Sequence, residues 1–267
     1  MRKHRWLAIW LVLSILILFG CQRAPEIRSA PVDSTPRLAV LCAFEPELKA
    51  LRTRADIAKT YVITGRTHYA GQLAGSDVII VLTGVSMVNA SLTTQSVIDH
   101  FNVTGIVISG IAGGVNPDLA IGDVVVPAQW GQYQEQLFAR QTESGWETGW
   151  YGQPFGHYEM MFPQKVTIPG RQGAPNREES RLWFEVNAEM LEIAEQISGD
   201  VALKHCAGPG LCLTKTPKVV TGGNGVSGST FVDNADYRAW ICETLQVNAA
   251  DMETAAVAHV AYVNALP

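Results

Sequence analysis

The chain has 267 residues, 47% hydrophobic and 17% charged, which is ample for a large core and suits one or two domains. So low a charged fraction excludes a wholly disordered chain, and the absence of a fixed-period repeat excludes solenoids and propellers. The 20 Lys+Arg against 25 Asp+Glu leave a net charge of -5, an acidic balance that argues against nucleic acid as the main partner.

Residues 1–20 carry the parts of an export signal. Met1 to Arg5 is basic, Trp6 to Phe19 is apolar except for Ser14, and a small residue, Gly20, precedes Cys21. The apolar run is shorter than the ~20 residues a bilayer span requires. Leu18-Phe19-Gly20-Cys21 resembles the end of a bacterial lipoprotein signal, which implies cleavage before Cys21, lipid on its thiol, and anchoring to a membrane facing the periplasm or the cell exterior. The alternative is a plain signal anchor with an incidental cysteine. Residues 21–36, with three prolines among Ser, Thr and mixed charges, read as a flexible tether to a domain spanning 37–267.

Within that domain, Arg37–Ala43 is a short apolar run and reads as a buried strand. Glu45–Arg54 reads as a helix with Pro46 in its first turn, where a missing N–H costs nothing. Tyr61–Thr64, Thr67–Leu73 and Val78–Thr83 read as strands. Met87–Phe101 has helical spacing, Gly105–Gly110 is another buried strand, and Val124–Gln129 follows the turn at Gly122-Asp123. The segment 129–181 is rich in Gly, Gln and aromatics and is expected to be irregular, either a lid or binding loop or a surface insertion and oligomer contact. Beyond it the pattern predicts a helix over Arg181–Ser198, a strand over Lys218–Thr221, a helix over Asn234–Leu245, a strand over Asn248–Met252 and a helix over Glu253–Asn264. Strands alternating with helices indicate an α/β layer fold with a mixed, largely parallel central sheet.

Five cysteines occur. Cys42 falls in a predicted buried strand and reads as core. Cys206 and Cys212 flank the turn-rich Ala-Gly-Pro-Gly-Leu, so they either bridge into a small loop or stay as two free thiols. No His-x-x-x-His or Cys-x-x-Cys is present, so neither a metal site nor a cofactor is expected. Ser86, Ser109, Ser227 and Ser229 lie near glycines but not in Gly-x-Ser-x-Gly, and read as turn residues or hydrogen-bond donors to a ligand. Gly223-x-Gly225-x-x-Gly228 matches a dinucleotide fingerprint, yet no helix opens at its last glycine, as the pyrophosphate mechanism requires. It reads instead as a backbone-rich ligand loop.

Gly110-Ile111-Ala112-Gly113-Gly114 ends a buried strand, where glycine permits close approach of a ligand to the main chain. Ligands in open α/β sheets sit at the carboxyl ends of strands. Phe44-Glu45-Pro46-Glu47, the glycine cluster and Asp251-Met252-Glu253 share that position, which would gather several carboxylates in one mouth. Carboxylates without metal ligands or a nucleophile point to acid–base chemistry on a neutral or cationic substrate. Each could alternatively cap the helix that follows it.

These landmarks resemble the nucleoside phosphorylase superfamily, particularly the methylthioadenosine/S-adenosylhomocysteine nucleosidases and their exported relatives akin to plant bark storage proteins. The residues that carry the resemblance are Ala43-Phe44-Glu45-Pro46-Glu47, Ser109 to Gly114, Ile121 to Pro127, Ser229-Thr230-Phe231-Val232 and Asp251 to Ala256. It implies a three-layer fold and cleavage of the N-ribosidic bond of a purine (thio)nucleoside such as methylthioadenosine, through a ribosyl cation. Glu47 would activate the attacking water and Glu253 would hold the ribose hydroxyls. Met252 would lie under the sugar, Phe231 would stack on the purine, and the Val232 main chain would bond the base edge, with Gly110, Ile111 and Ala112 lining the site. Self-association is implied as well. Where the phosphorylases have an Arg-x-Gly-Ser type run this chain has Ile108-Ser109-Gly110-Ile111, so water is expected as acceptor rather than phosphate. The other readings are a phosphate-dependent phosphorylase and a non-catalytic nucleoside-binding or storage lipoprotein. In the family a further strand, ending in Ser-Asp, and a helix follow the last helix; the aspartate protonates the leaving base. The sequence given reaches Ala265-Leu266-Pro267, so that strand, helix and aspartate are expected to be missing from it.

Overall fold

Apolar residues on both faces of the same strands build the first half of the fold. In the computed structural model, which describes residues 30–267, β1 (Asp33–Cys42), β2 (Asp56–Ile63), β3 (Arg66–Leu73), β4 (Ser76–Leu82) and β5 (Phe101–Ile108) form one sheet in the order β2-β3-β4-β1-β5. β1 runs parallel to β4 and to β5, while β2–β3 and β3–β4 are antiparallel. Successive side chains alternate across a strand. Ala39, Leu41, Ile79 and Val81 therefore enter one core, and Val40, Cys42, Val78 and Ile80 the other. The second face is covered by α1 (Glu45–Arg52) through Leu48. The first is covered by Ala90 and Val97 of α2 (Met87–His100) and by Ala256 and Val257, which lie near the chain end. The result is a helix–sheet–helix sandwich. Each fully buried Val, Leu or Ile stabilises it by about 1.5–3 kcal/mol. Cys42 is fully buried, as expected for core, and burial pushes its thiol up to about 12.

The second half begins with β6 (Gly113–Gly114), β7 (Val124–Val126) and β8 (Gln129–Gly131). The expected irregular insertion is instead threaded by short antiparallel ladders. These pair β9 (Gln136–Phe138) with β12 (Met161–Pro163), β10 (Arg140–Thr142) with β11 (Gly145–Glu147), and β13 (Val166–Ile168) with β14 (Glu179–Arg181). Its aromatics divide by burial. Trp130, Tyr133 and Phe162 are packing residues, whereas Trp150 is exposed and stacks on Tyr151.

The helix expected over Arg181–Ser198 is only half helical. Arg181 ends β14, β15 (Trp183–Glu185) pairs antiparallel with β8, and α3 (Ala188–Ile197) begins at the cap Asn187, whose side chain accepts from the Met190 N–H. The long-range pull is Phe184, which is fully buried and stacked on His259, a contact that a local helical pattern does not register. β16 (Cys206–Gly208) and β17 (Leu211–Cys212) form a small hairpin closed by a Cys206–Cys212 disulfide.

β18 (Val219–Thr221) pairs parallel with β7. The Gly223–Gly228 segment is mostly β19 (Asn224–Ser227), an interior strand and not a loop. Its glycines answer to packing: a Cβ on Gly225 would sit 2.7 Å from the Trp130 ring. α4 (Ala235–Leu245) is capped by Asn234, and β20 (Val247–Asp251) leads into α5 (Thr254–Val263). The second sheet has the order β15-β8-β19-β20-β6, with β8, β19 and β20 parallel. Ile241 and Leu245 of α4 pack on it with Val226 and Val247. The whole is a mixed α/β fold with five helices among the described residues.

The signal segment and Cys21 lie outside the described residues. The tether assigned to 21–36 extends too far, because Asp33 to Pro36 already belong to β1. They do so because Asp33 is tied down. Its carboxylate accepts from the Arg37 guanidinium at 3.1 Å and from the Tyr61 hydroxyl at 3.1 Å, and both members of the ion pair are nearly buried. Breaking one side of a buried pair leaves the other charge uncompensated. Asp33→Asn is therefore expected to lower unfolding stability by about 3 kcal/mol, as read from urea denaturation.

Candidate active site

β1, β4 and β5 run parallel, so their carboxyl ends share one edge, and the loops there carry the polar residues. Glu47, in the first turn of α1, links two of those ends. Its Oε2 accepts from the N–H groups of Ala43 (2.7 Å) and Phe44 (3.3 Å) just past β1, and its Oε1 accepts from the Ile111 N–H (2.8 Å) just past β5. The bond to Phe44 is half of a capping box. The bond to Ile111 is not, and it reaches across the mouth. Gly110 makes that reach possible, because a Cβ there would lie 2.8 Å from Glu47 Oε1.

Glu253, at the cap position of α5, is 7% exposed. Its Oε1 accepts from the Ser86 N–H at 2.6 Å, in the loop after β4, and its Oε2 accepts from the Met252 N–H at 3.3 Å. Burial raises its pKa above the ordinary glutamate value; the Ser86 and Met252 N–H groups oppose the rise, and the charges of Asp251 and Glu47 add to it. Glu47 and Glu253 thus accept from loops at the same carboxyl edge of the first sheet, after β1 and β5 and after β4 respectively, despite their distance in sequence.

Asp251 plays a different part. It accepts from the hydroxyls of Ser227 and Thr254 and from the N–H groups of Glu253 and Thr254. Ser227 Oγ in turn accepts from the Ala255 N–H at 2.8 Å. Burial raises the Asp251 pKa while the two hydroxyls oppose it. Its oxygens are committed to the start of α5 and the end of β19, so it holds Glu253 in place rather than meeting a ligand. Sequence reasoning counted Asp251 among the mouth carboxylates and gave Ser227 no such bracing role. Hydroxyls placed at the end of a strand beside an acidic helix start were the available signal.

The remaining expected residues fall around this pair. Gly110, Ile111 and Ala112 are exposed at the mouth, with the Ile111 N–H already taken by Glu47. Met252 is half-buried beside Glu253. Phe231 is 84% exposed, a free aromatic face, and Val232 packs against the second core. Ser229, two residues before Phe231, has its hydroxyl 3.2 Å from that of Ser86, which brings this segment over the Glu253 side. A cavity of about 830 Å³ lies elsewhere, in the 129–181 region, lined by Glu135, Tyr151, Gln164 and Lys165 among others, and includes none of these residues.

A family model described as Phosphorylase superfamily matches residues 37–267. The 5'-methylthioadenosine/S-adenosylhomocysteine nucleosidase of Colwellia psychrerythraea is 37% identical over 113 residues, covering 42% of this chain and 45% of that one. The enzyme of the same name from Bacillus thuringiensis is 32% identical over 109 residues, covering 41% and 47%. These matches span less than half the length of the curated relatives. Among solved structures, futalosine hydrolase of Helicobacter pylori superposes with TM-score 0.58 at 21% identity, covering 85% of this chain and 81% of that one. The Colwellia nucleosidase with adenine gives 0.58 at 24% identity, covering 87% and 78%. At these identities the superpositions speak to the fold.

The Gly110–Glu47 contact is testable by a mutant cycle. Gly110→Ala is expected to destabilise the protein by about 1–3 kcal/mol through overpacking. The same change in a Glu47→Ala background should cost far less, since the clashing oxygen is gone; urea melts of the four proteins read the coupling.

Proposed function

The chain belongs to the phosphorylase superfamily, and from that premise we propose that it hydrolyses the N-ribosidic bond of purine (thio)nucleosides. The observation that carries the reading is that Glu47 and Glu253 accept from backbone N–H groups in loops at one carboxyl edge of the first sheet. A developing ribosyl cation between two carboxylates is lowered in energy most where water is scarce. Glu253 accepts the sugar hydroxyls and fixes the ring. Glu47 takes a proton from water as the water oxygen bonds to the anomeric carbon, and the electrons of the broken bond leave on the base nitrogen, which takes up a proton from solvent. Phe231 offers a face for the purine, worth on the order of 0.5–1.5 kcal/mol beyond burial. Ile108 and Ile111 flank Gly110 and supply no fork for a phosphate dianion, which favours water as acceptor. The curated relatives named above carry the matching activity in their names. The reading extends to an exported protein lipid-anchored through Cys21 and to self-association. The first rests on the leader's composition, and labelling with a radioactive fatty acid that Cys21→Ser abolishes would test it.

Methylthioadenosine in phosphate-free buffer is expected to release free adenine, and Glu47→Gln to reduce that release by 10²-fold or more. A strict phosphate requirement would point to phosphorolysis, and binding without release to a storage or sensing role. Glu253 must be ionised to accept two hydroxyls, and its raised pKa means it protonates at a higher pH than an ordinary glutamate. As pH falls, kcat/KM should therefore begin to drop before the pH at which an ordinary glutamate protonates, and the Glu253→Gln variant should lose that limb together with most of its substrate affinity.

A further inference from the structure

Ser86 holds a backbone conformation that side chains avoid. Its φ of 88° and ψ of 154° lie in a region occupied almost only by glycine. Such strain persists where the surroundings over-determine it, and here they do. Thr83 Oγ1 donates to the Cys42 carbonyl, Thr93 Oγ1 donates to the Thr83 carbonyl, and Asn89 Nδ2 donates to the Val85 carbonyl. The strained geometry aims the Ser86 N–H at Glu253 Oε1. Glycine would deliver that N–H without strain. What glycine cannot deliver is the hydroxyl, carried by the residue whose N–H bonds Glu253 and lying 3.2 Å from Ser229 Oγ.

We propose that the Ser86 hydroxyl, steered by Ser229, is a specificity-determining group that reads the vicinal diol of the sugar next to Glu253, so that the site takes ribonucleosides in preference to 2′-deoxyribonucleosides. This rests on the placement of the sugar at Glu253 in the proposed function. A carboxylate accepts from both sugar hydroxyls but donates to neither. With the Ser229 hydroxyl donating to it, the Ser86 hydroxyl keeps its own proton to donate at the same edge. A site built to pair with a substrate hydroxyl rejects the analogue that lacks it, because its own polar groups are then left unpaired.

The test compares wild type, Ser86→Gly, Ser86→Ala and Ser229→Ala with methylthioadenosine and its 2′-deoxy analogue, by adenine release and by calorimetric binding. All variants keep the backbone N–H on Glu253, so a purely structural role for Ser86 would leave the sugar preference unchanged. Wild type should prefer the ribo form. Ser86→Gly and Ser86→Ala should each lose about tenfold in kcat/KM for it and retain their value for the deoxy form. Ser86→Gly alone should melt about 2–4 °C higher, since only it relieves the strain. Equal treatment of both sugars by wild type, or an undiminished ribo preference in Ser86→Gly and Ser86→Ala, overturns the inference while leaving hydrolysis standing. A Ser86-dependent ribo preference in binding without adenine release upholds the inference and overturns the hydrolase reading. Absence of both binding and release overturns the two together.

Discussion

One carboxylate ties two loops together. Glu47 accepts from N–H groups just past β1 and from another just past β5, so strand ends that only meet because β1 and β5 are parallel neighbours are locked at a fixed separation. In the proposed function the same carboxylate is the base that activates water. Fold and proposed chemistry therefore constrain one another at this point. A side chain on Gly110 would push the carboxylate away, so glycine is required in the loop two residues past β5.

The other carboxylate is set by a different device. Glu253 is placed by α5, whose start is fixed by Asp251 and Ser227 from the second sheet, and its Oε1 is met by the N–H of a strained Ser86 from the first. Helix α5 also inserts Ala256 and Val257 into the core under β1 and β4. It is thus packed against both sheets. Burial with only partial compensation from backbone donors keeps Glu253 easier to protonate than a surface glutamate. A carboxylate held in a buried setting has that property as a direct cost of its position.

Much of this was legible in the residues. The run Arg37–Ala43 had to be a strand buried on both sides, and Pro46 marked the start of α1 because its ring fits a first turn. The motif residues from Ala43 to Glu47 and from Asp251 to Ala256 pointed to the two glutamates. The errors share a cause. Arg181–Ser198 looked helical throughout, but Phe184 is claimed by His259 on a distant helix. Gly223–Gly228 looked like a ligand loop, but Gly225 is there for the Trp130 ring. In each case a partner far away in sequence decided the outcome.

By itself the sequence determined the alternation of strands and helices and the both-faced burial of β1 and β4, because these depend on hydrophobic period and local turn chemistry; the two glutamates were singled out by the resemblance to a known family. Only the tertiary structure decided that Glu47 reaches Ile111, that Asp251 braces rather than binds, and that Ser86 sits in a glycine-only geometry beside Glu253. Those outcomes depend on which loops a parallel sheet brings to one edge, and hydrogen bonds across that edge have no counterpart in neighbouring residues along the chain.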